Sequence, residues 1–353
     1  MEFALDDEQQ ALQSTARAAL ASFATDEPVD AQWQRMVDLG WVGLLVPEAQ
    51  GGAGRGLLEA MVVLEEMGRV PHAGPYLSSA VLATLAARGL GLDELLTSLA
   101  DGTTSGTVAI DEDGHGDVVD RIRTRASRKS GIWKLTGDKT IVLDGDTADW
   151  VLVPARTQQG IGTFLLEHPG ATTEPTLDVS RAVSRIHLSE TTATPVGPDL
   201  DHTAIWRRVV DDGAVALCAE LLGSMQAAFD LAIEYAKARV QFDRPIATFQ
   251  ATKHKAADML ERIELSRVGV HYAAWASDAE DPVRAEAAAM AKSFVGRAAN
   301  EVTGEAIQIH GGVGFTWECD AHLHYRRAKA NDLLLGYHGT WRHQVAESYL
   351  RTG

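Results

Sequence analysis

Hydrophobic positions change their period twice along this chain. From Asp6 to about Ala100 they recur at helical spacing, and Gly and Pro mark the breaks between elements. Leu57 to Arg69 and Tyr76 to Arg88 read as packed helices. Leu39-Gly40-Trp41-Val42-Gly43-Leu44-Leu45-Val46-Pro47-Glu48, followed by Gly51-Gly52-Ala53-Gly54, reads as a helix end, an apolar turn and a loop. Between Asp101 and about Leu200 short β-rich runs take over, such as Thr107-Val108-Ala109-Ile110, Trp150-Val151-Leu152-Val153 and Thr163-Phe164-Leu165-Leu166. Separated by Gly, Asp and Thr, they predict a small antiparallel barrel or sandwich. From Thr203 the helical period returns, with Leu217, Leu221, Met225, Phe229 and Ile233 stepping by four along one face. Asp243 to Pro245 breaks that helix. Further helices over about Phe249 to Ala276 and Pro282 to Ile309, with shorter ones after Glu318, predict a bundle. The expectation is a mostly α protein with a small β-domain: a helical domain over 1–104, a β-domain over 105–200 and a C-terminal four-helix bundle over 201–353.

Composition narrows the function classes. With 353 residues, 45% of them apolar, the chain can bury a large core in two or three domains. A net charge of -17 repels nucleic acid and anionic membrane alike, so a phosphate-rich ligand needs local cations. Two cysteines, Cys218 and Cys319, are too few for a disulfide framework and fit a reducing compartment, which predicts a cytoplasmic location. The start, Met1 to Glu8, is acidic and lacks the basic and apolar regions of a signal peptide. No stretch approaches the roughly 18 consecutive apolar residues of a membrane span. His310, Cys319, His322 and His324 lack the spacing of a zinc ligand set, and no metal is expected.

Two blocks carry chemistry. The first runs from Glu234-Tyr235-Ala236-Lys237-Ala238-Arg239-Val240-Gln241-Phe242-Asp243-Arg244-Pro245-Ile246 to Ala247-Thr248-Phe249-Gln250, and the second is Gln308-Ile309-His310-Gly311-Gly312-Val313-Gly314-Phe315. Together with the Gly-Trp-x-Gly-Leu segment at 40–44, they resemble, in the expected order, signatures of the acyl-CoA dehydrogenase family. The resemblance extends over essentially the whole chain and is closest over 203–330. It implies FAD as cofactor and an acyl-CoA as substrate. The residue types suit that cofactor. The Arg239 guanidinium matches phosphate oxygens, and Phe242 can lie against a ring system. Gln241, Gln250 and Gln308 can donate and accept, Ile246 supplies an apolar contact, and Gly311 and Gly312 let backbone N–H groups approach closely. In the family these elements reach across a subunit interface into a neighbour's flavin site.

The same resemblance exposes what has been lost. Family members remove the α-proton with a glutamate at one of two positions. One lies in a Tyr-Glu-Gly-Thr sequence, where this chain has Tyr337-His338-Gly339-Thr340 at a somewhat longer spacing from Gln308; on strict spacing Leu335 takes the base position. The other falls, counting back from Arg239, on Gly213 and Ala214. Two substitutes remain: His338, whose displaced spacing suggests a surface histidine, and Glu220, two turns beyond Gly213, which must be paired, solvent-facing or open to a cavity. The β-domain departs too. Ile141-Val142-Leu143-Asp144-Gly145 stands where a flavin-contacting Trp-Ile-Thr-Asn-Gly is usual, and the negative charges of Asp111-Glu112-Asp113-Gly114-His115-Gly116-Asp117 would repel phosphates. The half of the flavin apparatus that serves a neighbour is kept. The half that serves the chain's own pocket is gone. This resembles the degenerate subunit of the heteromeric acyl-CoA dehydrogenases of actinobacteria and implies an α2β2 partner: a paralogous subunit carrying the catalytic Glu, with substrates that include bulky steroid side-chain thioesters. Two alternatives stay open, a non-catalytic scaffold of the same fold and a self-sufficient homo-oligomer that uses Glu220 or His338.

Overall fold

The computed structural model describes residues 4–23, 28–70, 74–114, 116–198 and 200–351. Met1, Glu2, Phe3 and His115, which entered the readings above, lie outside the described residues. In chain order the helices are α1 (Asp7–Ala21), α2 (Val29–Asp38), α3 (Leu57–Arg69), α4 (Thr84–Leu90), α5 (Asp93–Ala100), α6 (Thr203–Ala238), α7 (Gln250–Asp278), α8 (Arg284–His310), α9 (Ala321–Leu333) and α10 (His338–Arg351). The strands are β1 (Gly106–Val108), β2 (Arg125–Lys129), β3 (Ile132–Leu143), β4 (Trp150–Arg156), β5 (Ile161–Glu167), β6 (Thr172–Glu174), β7 (Val183–Pro195), β8 (Val240–Gln241) and β9 (Arg244–Pro245). These elements pack as two compact units. One comprises Met1–Ser22, Met61–His72 and Ala214–Gly353, and the other Phe23–Ala60 and Ala73–Gly213.

The strand-bearing unit is built on a closed sheet. β4 pairs with β2, β2 with β3, β3 with β7, β7 with β5, and β5 returns to β4, while β6 adds to β7. Closure removes the exposed edges that an open sheet would present. The ladder is antiparallel except where β1 and one residue of β2 meet β4 in parallel. Inward positions at period two supply the core, with Leu135, Val142, Val151, Val153, Phe164 and Ile186 fully buried. The apolar run beginning at Tyr76 enters as a π-helix, Tyr76–Ala83, before α4.

In the other unit α6, α7, α8 and the shorter α9 and α10 form the bundle, with α8 central to α7, α9 and α10. The α3–α6 crossing is set by two glycines. A Cβ on Gly68 would stand 2.0 Å from the Glu220 carbonyl oxygen, and one on Gly223 would stand 1.8 Å from that of Glu65, so the two helix backbones touch. Arginines tie the flanks: Arg17 pairs with Glu66 at 2.6 Å, Arg69 with Asp230 at 2.8 Å, and Arg267 with Glu65. By length and mean hydropathy α6 could cross a membrane, although it holds no run of 18 consecutive apolar residues. Its most apolar window is 72% buried, which marks it as a core helix.

Candidate functional site

The residues of the two sequence blocks gather at one end of the bundle. The last turns of α6 and α8 meet where the Tyr235 and His310 rings stack with centroids 4.7 Å apart. The start of α7 is tied to the end of α8 by the Lys255–Glu305 ion pair. Beyond α6, Val240 pairs with Pro245 and Gln241 with Arg244, closing a hairpin over two residues, Phe242 and Asp243. Both sit at positive φ, +53° and +60°. That is the twist a two-residue hairpin requires, yet Phe has a Cβ that resists it. The strained turn holds the Phe242 ring 87% exposed, edge-on to Phe249 at 6.2 Å, with Arg244 over the Phe249 face at 4.1 Å.

Around this turn the polar candidates are solvent-facing. Arg239, Gln241, Gln250 and Gln308 are exposed, and Ile246 is half-buried. Gln241 donates to the Val240 carbonyl at 2.8 Å. Gln250 Nε2 lies 3.5 Å from His254 Nε2. Among the described residues the Arg239 guanidinium has no hydrogen-bond or ion-pair partner. Gln308 lines a groove of about 410 Å³ with Lys255, Asp258, Arg262, Glu301 and Glu305. Gly311, at φ +64°, ends α8, and a Cβ on it or on Gly312 would meet nothing within 4 Å, so both backbones are open to an incoming group. A free guanidinium at a helix end, an exposed aromatic, amide side chains and bare backbone fit a dinucleotide with a diphosphate and ring systems.

Both candidate bases have buried partners. Glu220 is paired, the first of its three expected alternatives: its Oε1 lies 3.4 Å from Arg327 and its Oε2 accepts from Asn331 at 2.7 Å, all three side chains being buried. His338 is half-buried, contrary to the surface position expected of it, because its Nδ1 is held at 2.8 Å by the buried Asp332 carboxylate, which Asn300 also bonds at 2.8 Å. Leu335 is 4% exposed and sits at φ +54°. Two of the histidines that prompted the metal question bond within the bundle: His310 Nδ1 bonds the Ala306 carbonyl at 2.7 Å and His324 Nδ1 meets Ser224 at 3.1 Å.

Residues 204–350 match the acyl-CoA dehydrogenase C-terminal domain and residues 6–94 the N-terminal domain. Acyl-CoA dehydrogenase IpdE2 of Mycolicibacterium smegmatis is 31% identical over 345 residues, which cover 94% of this chain and 96% of the relative. This chain belongs to the acyl-CoA dehydrogenase family. Its family activity is therefore an FAD-dependent oxidation. Among solved structures it resembles the ChsE4–ChsE5 complex from Mycobacterium tuberculosis, with a TM-score of 0.88, 28% identity and full coverage of both chains. It likewise resembles the Tcur3481–Tcur3483 steroid acyl-CoA dehydrogenase G363A variant, with a TM-score of 0.88, 30% identity and 98% of each chain covered.

Within this acyl-CoA dehydrogenase, the β-domain segments that depart from the family pattern do structural work. Val142 and Leu143 are buried at the end of β3, and the buried Asp144, at φ +52°, accepts from the Ser78 hydroxyl at 2.5 Å. Desolvation raises the Asp144 pKa, opposed by that hydrogen bond. The acidic run is less repulsive than its sequence suggests, because Asp111 pairs with Arg121 and Glu112 with the buried Lys139 at 2.7 Å. Only Asp113 of those three is exposed. Sequence reasoning also passed over the aromatics that follow the glycine pair. Phe315 and Trp317 are 73% and 71% exposed, and their signal was two large apolar residues in a Gly-rich turn with no helical partner positions.

Proposed function

We propose that this chain is the degenerate subunit of a heteromeric acyl-CoA dehydrogenase, contributing Arg239, Gln241, Phe242, Ile246, Gln250, Gln308, Gly311 and Gly312 to an FAD site completed by a paralogous subunit. The observation that carries the reading is the strained hairpin, which holds Phe242 exposed beside an Arg239 that has no side-chain partner among the described residues. Such a turn persists when something outside the chain rewards it. A second support is the fate of the bases. Glu220 is tied to Arg327 and Leu335 occupies the base position, which supports leaving the α-proton to a carboxylate of the partner.

FAD held there would supply the acceptor for the thioester's β-hydride, with the α-proton lost to a base and a Cα–Cβ double bond left behind. This chain's residues hold and orient: Arg239 bonds the diphosphate, Phe242 covers a ring, and the Gly311–Gly312 backbone closes on the nucleotide. The two-gene composition of the ChsE4–ChsE5 and Tcur3481–Tcur3483 proteins favours an α2β2 assembly, and the steroid designation of the latter favours a bulky acyl group. A reducing cytoplasm is the compartment consistent with the cysteine usage.

Co-expression with a paralogue from the same operon tests this. The expected product is an α2β2 tetramer with two FAD that oxidises acyl-CoA, and Arg239→Ala should release the flavin from it. A chain that alone bound stoichiometric FAD and oxidised acyl-CoA as a homo-oligomer would overturn the reading.

A further inference from the structure

A second groove, of about 420 Å³, opens between α7, α8 and α10, and none of the residues assigned to the flavin lines it. Leu265 and Phe294, 53% and 42% exposed, form its apolar wall. His338 and Arg342 also line it, four residues apart and so neighbours on one face of α10. The backbone of α8 comes close beneath them: a Cβ on Gly296 would stand 3.0 Å from the His338 Cβ.

The His338 ring is held from behind. The buried Asp332 carboxylate accepts from the Asn300 amide at 2.8 Å and from the His338 backbone N–H at 3.2 Å, and it meets His338 Nδ1 at 2.8 Å. A carboxylate against Nδ1 makes that nitrogen the donor, which orients the ring and leaves Nε2 free. Among the described residues Nε2 has no hydrogen-bond partner, and it is not one of the unpaired side-chain atoms sealed from solvent. It is open to the groove that the ring lines.

The charges around it are uneven. Three guanidiniums, of Arg262, Arg297 and Arg342, line the groove with two carboxylates, of Glu261 and Glu301. Arg262 and Arg297 both bond Glu301, at 2.7 and 2.8 Å. Arg342 is exposed and has no hydrogen-bond or ion-pair partner among the described residues. On a chain of net charge -17, an unpaired cation beside an open imidazole nitrogen is a local surplus of the kind an anion needs.

We infer that this groove binds an organic oxyanion, a phosphate monoester or a carboxylate on a compact apolar body, with Arg342 and His338 Nε2–H sharing its oxygens and Leu265 and Phe294 covering the body. A neutral ring presents a lone pair at Nε2. The bound anion stabilises the protonated ring that donates there, and Asp332 balances the charge from the other side. The site is separate from the flavin residues and does not depend on the heteromer.

Titration calorimetry tests this on the full chain, in the assembly in which it purifies, with phenyl phosphate, phenylacetate, inorganic phosphate and benzyl alcohol. Melting temperatures are read on the same proteins. Phenyl phosphate or phenylacetate should fill one saturable site per chain, about tenfold more tightly than inorganic phosphate because the ring covers the apolar wall. The tighter of the two names the head group. Arg342→Gln and Leu265→Glu, both at exposed positions, should weaken binding about tenfold, while Arg128→Gln, which removes an exposed cation on β2, should leave it unchanged. His338→Asn keeps an amide N–H for Asp332 and removes Nε2, so it should weaken binding to a similar degree. A purely structural His338 would lower the melting temperature and leave the affinity alone. The inference is overturned by the absence of saturable binding, by benzyl alcohol binding as tightly as phenyl phosphate, or by wild-type affinity in Arg342→Gln or His338→Asn.

Discussion

Replacing Arg327 with methionine separates a structural Glu220 from a catalytic one. Arg327 and Glu220 are 2% and 5% exposed, with Nη1 of the arginine 3.4 Å from Oε1 of the glutamate and 3.2 Å from the Val70 carbonyl. Methionine keeps much of the stem volume and removes the charge paired with the buried carboxylate, which still accepts from the Asn331 amide at 2.7 Å. Breaking one side of a buried pair costs about 3–5 kcal/mol, and the surviving amide bond places Arg327→Met near the lower end, ~3 kcal/mol. Glu220→Gln keeps an acceptor for Asn331 but takes the opposite charge from the buried guanidinium, for a loss of similar order. Because each single change removes the opposite charge from a buried pair, the double variant Glu220→Gln/Arg327→Met should fall short of the summed losses by about 2 kcal/mol. Urea denaturation of the four proteins measures the cycle, and turnover of the assembled complex supplies the functional arm. An Arg327→Met protein within about 0.5 kcal/mol of wild type would refute the pairing argument, since that is the scatter of an indifferent site. So would a Glu220→Gln complex that melts like wild type but has lost turnover, because Glu220 would then be the base.

Further outcomes follow from the same geometry. Gly223→Ala should destabilise the chain by about 1–3 kcal/mol or more, read by thermal melting, because its Cβ would fall 1.8 Å from the Glu65 carbonyl and a backbone atom cannot turn aside. Asp243→Gly should stabilise by roughly 0.5–1 kcal/mol, since glycine holds φ +60° without the Cβ penalty; denaturant midpoints decide it. The Glu112–Lys139 pair gives a pH signature. Desolvation works to raise the Glu112 pKa, but Lys139 and the neighbouring hydrogen bonds outweigh it and hold it below its ordinary 4.5, so its contribution is present above that pH and lost as the pH falls through the lower folded value. Burial brings Lys139 down to about 8 against Glu112's pull, so stability should rise between pH 8 and 10.5 as the unfolded chain alone remains protonated. Denaturation of wild type and Glu112→Gln across pH 3 to 7 should show a steeper fall in wild type, and parallel curves would contradict the pairing.

The switch of hydrophobic period near residues 101 and 203 was enough to divide the chain into helical, β-rich and helical stretches, because amphipathic periodicity is a local property. The bounds of α3, Leu57–Arg69, follow directly from it. The family likewise lay in local strings, the Arg239–Gln250 and Gln308–Phe315 blocks, whose residue types suit a dinucleotide without reference to anything distant. What the sequence could not hold is the partner of each charge. Glu220 was readable only as paired, solvent-facing or open to a cavity, and the choice fell to Arg327 and Asn331, more than a hundred positions away and brought there by α9 packing on the bundle. Asp111 and Glu112 read as a repulsive run until Arg121 and Lys139 folded against them. His338 looked like a surface residue until Asp332 drew it inward. Local spacing determines which face of a helix is apolar. Which buried charges meet depends on contacts that exist only after the chain has closed, and here those contacts pair Glu220 with Arg327 and His338 with Asp332.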